Sequence, residues 1–167
     1  MNLASCPWIV AAFLGLLSLS PAHAGMTSEE VKLYEGYKAQ AEKGNSVAQY
    51  NLGYCYANGE GVEKDKEQAV FWYRKAAEQG NAVAQYNLGL CYINGEGVAK
   101  DVIEAYAYWS LAGITAEAAR KNLAILEKQM SPDARLLGQQ RAKQVQKEIE
   151  RSKTILNALK RGAGYEK

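Results

Sequence analysis

Apolar side chains along this chain recur three and four residues apart, which is the spacing of one face of a helix. Ala48, Leu52 and Tyr56 form one such line, and Ala84, Leu88 and Tyr92 form another. Ala69, Trp72, Tyr73, Ala76 and Ala77 make a wider stripe, answered by Ala105, Tyr108, Trp109, Ala112 and Gly113. Val31, Tyr34, Tyr37 and Ala41 precede them, and Ala118, Leu123 and Leu126 follow. Strand-like alternation is absent, so the spacing predicts an all-α fold.

Boundary signals agree with these stripes. Gly44 and Gly80 stand where a helix ends, and glycine takes the left-handed conformation there without a Cβ penalty. Asn45 and Asn81 follow as N-caps. Asp65 with Gln68, Asp101 with Glu104 and Thr27 with Glu30 have capping-box spacing. Thr115 is expected to cap a further helix, and Ser131 with Pro132 starts another. Asn58–Gly61 and Asn94–Gly97 are turn chemistry. Gly53 and Gly89 fall in mid-helix at the same register, which predicts close helix–helix approach.

The stripes repeat because the sequence does. GNSVAQYNLGYCYANGEGVEKD and GNAVAQYNLGLCYINGEGVAKD lie 36 residues apart and agree at 18 of 22 positions. A period of this length means stacked helical pairs, each burying its apolar face against its neighbours. The chain divides into a leader (1–24), an N-terminal capping helix (25–43), two repeats (44–79 and 80–115), a partial terminal repeat helix (116–130), a long C-terminal helix (131–160) and a disordered tail (161–167).

AQYNLGYCYANGEGVEKD and AVFWYRKAAEQGN resemble the Sel-one-like repeat family, short relatives of tetratricopeptide repeats, and AYAYWSLAGITAEAARKNLAILEKQMSP resembles its terminal unit. The resemblance implies a short right-handed α/α solenoid, here with a long C-terminal helix, acting as an exported adaptor or scaffold. An inhibitor or immunity protein for a secreted enzyme is the alternative. By likeness to tetratricopeptide arrays, the concave face falls to first-helix residues off the core stripe: Val47, Tyr50, Tyr54, Asn58, Val83, Tyr86, Leu90, Ile93 and Asn94. They would grip a protein or peptide, unless neighbouring helices cover them.

Residues 1–24 carry no Asp, Glu, Lys or Arg, and Trp8–Leu19 is apolar ahead of Ala22-His23-Ala24. This reads as a signal peptide cut after Ala24, giving a periplasmic or secreted protein; an uncleaved anchor and a lipoprotein are the weaker readings. The apolar stretch is too short for a spanning helix of about 20 residues, so no stable membrane insertion is expected once it is removed.

That cut also removes the only histidine, His23. Ser-His-Asp and Cys-His catalysis each need an imidazole base. Some relatives are described as β-lactamase-like, but no serine here begins an S-x-x-K motif. A hydrolase is therefore the least favoured reading, with no catalytic residue assigned. Cys55 and Cys91 are too few for a zinc site, and no metal or cofactor is expected. They read as small buried apolar groups, with a disulfide as the alternative.

With 20 Lys+Arg against 18 Asp+Glu, the charge of +2 is too small to suggest nucleic acid. It hides a split. Residues 25–119 hold 8 basic and 13 acidic side chains (net −5), and residues 120–167 hold 12 and 5 (net +7). Gly138, Ala142, Val145, Ile149, Ser152, Leu156 and Leu159 form a heptad seam on the C-terminal helix. That helix could fold back along the array, pair with a second chain to form a homodimer, or project as a basic arm.

Overall fold

The computed structural model describes residues 26–162; the proposed leader (1–24) and residues 163–167 lie outside them. The described residues form seven helices and no strand: α1 (Ser28–Glu42), α2 (Ser46–Asn58), α3 (Lys66–Glu78), α4 (Ala82–Asn94), α5 (Val102–Ala112), α6 (Glu117–Gln129) and α7 (Pro132–Gly162). α2 pairs with α3 and α4 with α5, while α1 packs on α2, α4 on α3 and α6 on α5. This is an all-α solenoid with a long C-terminal helix. None of the described helices is long and apolar enough to cross a membrane.

Local chemistry sets each helix end. Asn45, Asp65 and Asp101 each accept two backbone N–H bonds, and Asn81 accepts one from Ala84. Only Thr27 and Glu30 form the reciprocal capping box, and these bonds lower the Glu30 carboxyl pKa. The box expected at Asp101 is incomplete because Glu104 turns to Arg141 instead. The cap expected at Thr115 is also corrected. α6 begins after Ala116 with no side-chain cap, and Arg120 Nη1 donates to the Gly113 carbonyl across that turn. Gly44, Gly59, Gly80 and Gly95 all have positive φ at helix ends.

The mid-helix glycines show why the pairs sit close. A Cβ on Gly53 would lie 2.7 Å from Tyr73 Cδ1, and one on Gly89 would run into the Trp109 indole. Each ring of the second helix thus brings one edge against the backbone of the first, and Trp109 Nε1 donates to the Tyr86 carbonyl at 3.1 Å. Two buried glutamines tie successive pairs together. Gln49 Nε2 donates to the Ala41 carbonyl and Gln85 Nε2 to the Ala77 carbonyl. Each adds a second donor to a carbonyl at the end of the preceding helix that already accepts from the backbone N–H of Gly44 or Gly80.

The C-terminal helix folds back, packing along α5 and touching α3. Ala142, Val145 and Ile149 are buried, and Gly138 sits against the Tyr106 ring. Tyr106 and Ala107 are buried although they fall off the stripe read from the sequence, because α7 covers the outer side of α5. In the first repeat Phe71 stands where Ala107 does in the second, and it is exposed. Arg141 Nε meets Glu104 Oε1 at 2.6 Å, joining the basic helix to the acidic array. From Ser152 onward the seam is uncovered, and the helix continues through Arg161 and Gly162, where the tail was expected.

These contacts predict opposite signs for one substitution. Gly89→Ala should lower stability by about 1–3 kcal/mol by displacing Trp109, although alanine is the better helix former. Gly36 has open space around its Cβ position, so Gly36→Ala should raise stability by about 1 kcal/mol. Thermal unfolding of the two variants measures both.

Candidate protein-binding face

The first helices of successive pairs, α2, α4 and α6, supply the candidate face. α2 and α4 contain no charged residue between them. Their charge-free character reaches the surface at Val47 (59% exposed), Tyr54 (43%) and Val83 (50%). Asn58 and Asn94 are exposed at the ends of these helices. The Asn58 amide is spent on its own helix, donating to the Tyr54 carbonyl at 3.1 Å.

The other residues expected on this face are half-buried. The Tyr50 ring stacks on Tyr73 at 6.0 Å between centroids and tilts against Tyr54 at 6.5 Å. Burial, with Tyr54 adding to it, raises the Tyr50 pKa. Tyr86 Oη accepts from Asn122 Nδ2 at 3.4 Å, which turns it toward α6. Leu90 and Ile93 pack against the main core. Where the sequence left two readings open for these residues, Tyr50, Tyr86, Leu90 and Ile93 are half-buried, and Val47, Tyr54 and Val83 remain as separate exposed apolar points. Neighbouring rings and α6 cover what lies between.

α6 adds what sequence reasoning missed. Ile93, Trp109, Asn122, Ile125, Leu126 and Gln129 line a cavity of about 190 Å³ between α4 and α6. Ile125 is 57% exposed at its edge. The signal was present, since Ile125 lies off the buried Ala119 and Leu126 positions of its helix just as Tyr54 lies off Leu52. No repeat copy marked it, because the terminal helix has lost the repeat's sequence.

The two cysteines are free thiols, Cys55 buried and Cys91 half-buried. Burial first, then the nearby Glu60 carboxylate, pushes the Cys55 pKa up to about 11. Burial and Glu96 do the same for Cys91. Neither is poised as a nucleophile, which would need a depressed pKa. Among the described residues, no group of three or more His, Cys, Asp or Glu is placed to hold a metal ion.

Two matches to the Sel1 repeat fall at residues 46–81 and 82–113. One similar solved structure is that of a protective antigen present in uropathogenic Escherichia coli strains, displaying an SLR fold. It is 34% identical, with a TM-score of 0.69, over 76% of this chain and 28% of that one. Another is a Sel1 repeat protein from Oxalobacter formigenes, 42% identical with a TM-score of 0.53, over 54% of this chain and 68% of that one. This chain thus spans less than a third of the first protein's length. None of the curated proteins matches it.

With thiol pKa values raised by folding, the unfolded thiols ionise before the folded ones, so folding is most favoured where both stay protonated and rising pH draws the equilibrium toward the unfolded chain. That contribution is complete below the unfolded pKa near 9.0 and is lost as pH rises toward about 11. Thermal melts of the wild type should therefore fall between these pH values. The fall should be smaller in a Cys55→Ala/Cys91→Ala double variant.

Proposed function

Because the chain belongs to the Sel1 repeat family, whose fold is generally a protein–protein interaction module, we propose that it is an exported, non-enzymatic adaptor or scaffold. Its partner offers an uncharged, apolar segment that docks across α2, α4 and α6. The observation that carries this reading is the absence of charge from α2 and α4 in a chain that is 23% charged. A segment bearing unpaired charges would lose hydration along α2 and α4 and gain no counter-charge from those two helices. Val47, Tyr54, Val83 and Ile125 supply apolar contact, and the cavity beside Ile93 offers a pocket for one anchoring side chain. The half-buried Tyr50, Tyr86, Leu90 and Ile93 hold the floor of this face, with Asn58 and Asn94 at its rim.

Export is part of the proposal and rests on the leader-like residues 1–24. The likeness to a protective antigen supports it, since an antigen of that kind is met outside the bacterial cytoplasm. On this reading the protein released to the periplasm or medium begins at Gly25, which N-terminal mass spectrometry checks; a retained Trp8–Leu19 segment would refute it.

Selection from a random peptide library on the immobilised chain tests the binding face. It should enrich uncharged apolar sequences whose affinity changes little with salt, because exposed charge pairs are what salt screens. Tyr54→Ala combined with Ile125→Ala should weaken the selected peptides by roughly tenfold or more while leaving the melting temperature nearly unchanged. Strongly charged, salt-sensitive binders would reject this face as the site.

A further inference from the structure

The outward side of α1 carries Glu29, Lys32, Leu33, Gly36, Tyr37 and Gln40, which line a shallow groove of about 570 Å³. Leu33 is 52% exposed there. Tyr37 is half-buried and packs on the cluster of Tyr34 and Ala41 that α1 buries against α2, while Leu33 and Gly36 are exposed beside it. Gly36 lies at the centre of the groove with no atom within 4 Å of its Cβ position. Elsewhere in the fold, the mid-helix glycines Gly53, Gly89 and Gly138 are covered by the rings of Tyr73, Trp109 and Tyr106, and the uncovered Gly162 stands at the last residue of α7. Glycine inside a helix is unfavourable relative to alanine, and at those three positions a close neighbour explains it. Gly36 has the same backbone and no neighbour.

We propose that this face docks a second copy of the chain, the two α1 helices crossing antiparallel at Gly36. The face is complementary to itself. Glu29, Gly36 and Lys43 are seven residues apart, so they lie on nearly one line along the helix, drifting only about 20° per step. A two-fold axis through Gly36 brings Glu29 of each copy to Lys43 of the other, giving two equivalent ion pairs. Lys32 then meets Gln40 of the second copy, and the exposed Leu33 of each copy packs beside the crossing, with the edge of the half-buried Tyr37 next to it. A parallel crossing would instead set Glu29 on Glu29 and Lys43 on Lys43. An isologous contact of this kind closes at two chains. One helix against one helix is smaller than the roughly 1,200 Å² of a standard stable interface, so the dimer is expected to be concentration-dependent.

The uncovered end of α7, with Ile155, Leu156 and Leu159 exposed, is the competing surface. Arg151 and Lys153 on the same stretch would repel their counterparts in a second copy, so the charges favour α1.

Sedimentation velocity of the full chain, at concentrations up to the order of 1 mM, tests the proposal. The wild type should pass from monomer to dimer. Leu33→Glu and Gly36→Arg should each weaken the dimer about tenfold or more with the melting curve retained. Glu29→Lys alone should also weaken it, and Glu29→Lys combined with Lys43→Glu should restore it. A chain that stays monomeric overturns the proposal. So does a dimer indifferent to Leu33→Glu, one abolished by Leu156→Glu, or a double charge reversal no better than the single one.

Discussion

The structure depends on aromatic rings laid directly on helix backbone at glycine. At Gly53 and Gly89 the missing Cβ lets Tyr73 and Trp109 reach the facing helix. Each such glycine costs about 1 kcal/mol of helix propensity. The ring it admits buries on the order of 150–250 Å², worth several kcal/mol at about 25 cal/mol per Å², so the ring wins. Any side chain at these glycines would push the two helices of a pair apart. α7 is held the same way, Gly138 on Tyr106, so one contact builds the repeats and also closes their end.

Polar groups then follow where the rings put the backbone. Gln49 and Gln85 are the buried polar residues among those described, and each bonds a carbonyl at the end of the preceding second helix. Gln79 Nε2 reaches Gln49 Oε1 at 2.6 Å, so that latch is itself braced. Within the two repeats charge is left to the turns and the second helices; α2 and α4 carry none, and their N-caps are neutral asparagines as well.

The two ends of the array are finished differently. At the C-terminal end, the +7 segment lies on the −5 array, and the Arg141–Glu104 pair is held at side chains only 28% and 19% exposed. Glu104 Oε2 is buried without a hydrogen-bond partner, so the pair sets where α7 lies at some cost in solvation. Burial of Tyr106 and Ala107 beneath α7 explains why the second helix of the second repeat departs most from its copy. At the N-terminal end, α1 covers α2 but keeps Leu33 and Gly36 in the open.

Periodicity by itself determined the all-α class, the 36-residue pairs, the turn glycines and the core at Leu52, Leu88, Tyr73 and Trp109. Each of these depends on spacing along one helix or on a turn's own dihedral angles. The sequence also marked Val47, Tyr54 and Val83, because a residue off the buried stripe of an outer helix faces outward. It could not separate them from Tyr50 and Tyr86, which share that side of the helix but are held by Tyr73 and Asn122 on other helices. Nor could it choose among three courses for the C-terminal helix, since a heptad seam fits any apolar surface. Only the tertiary structure decided these. It placed α5 beneath Gly138–Ile149 and left Ile125 at the edge of a cavity, because burial depends on which distant segments arrive, and spacing along one segment carries no record of them.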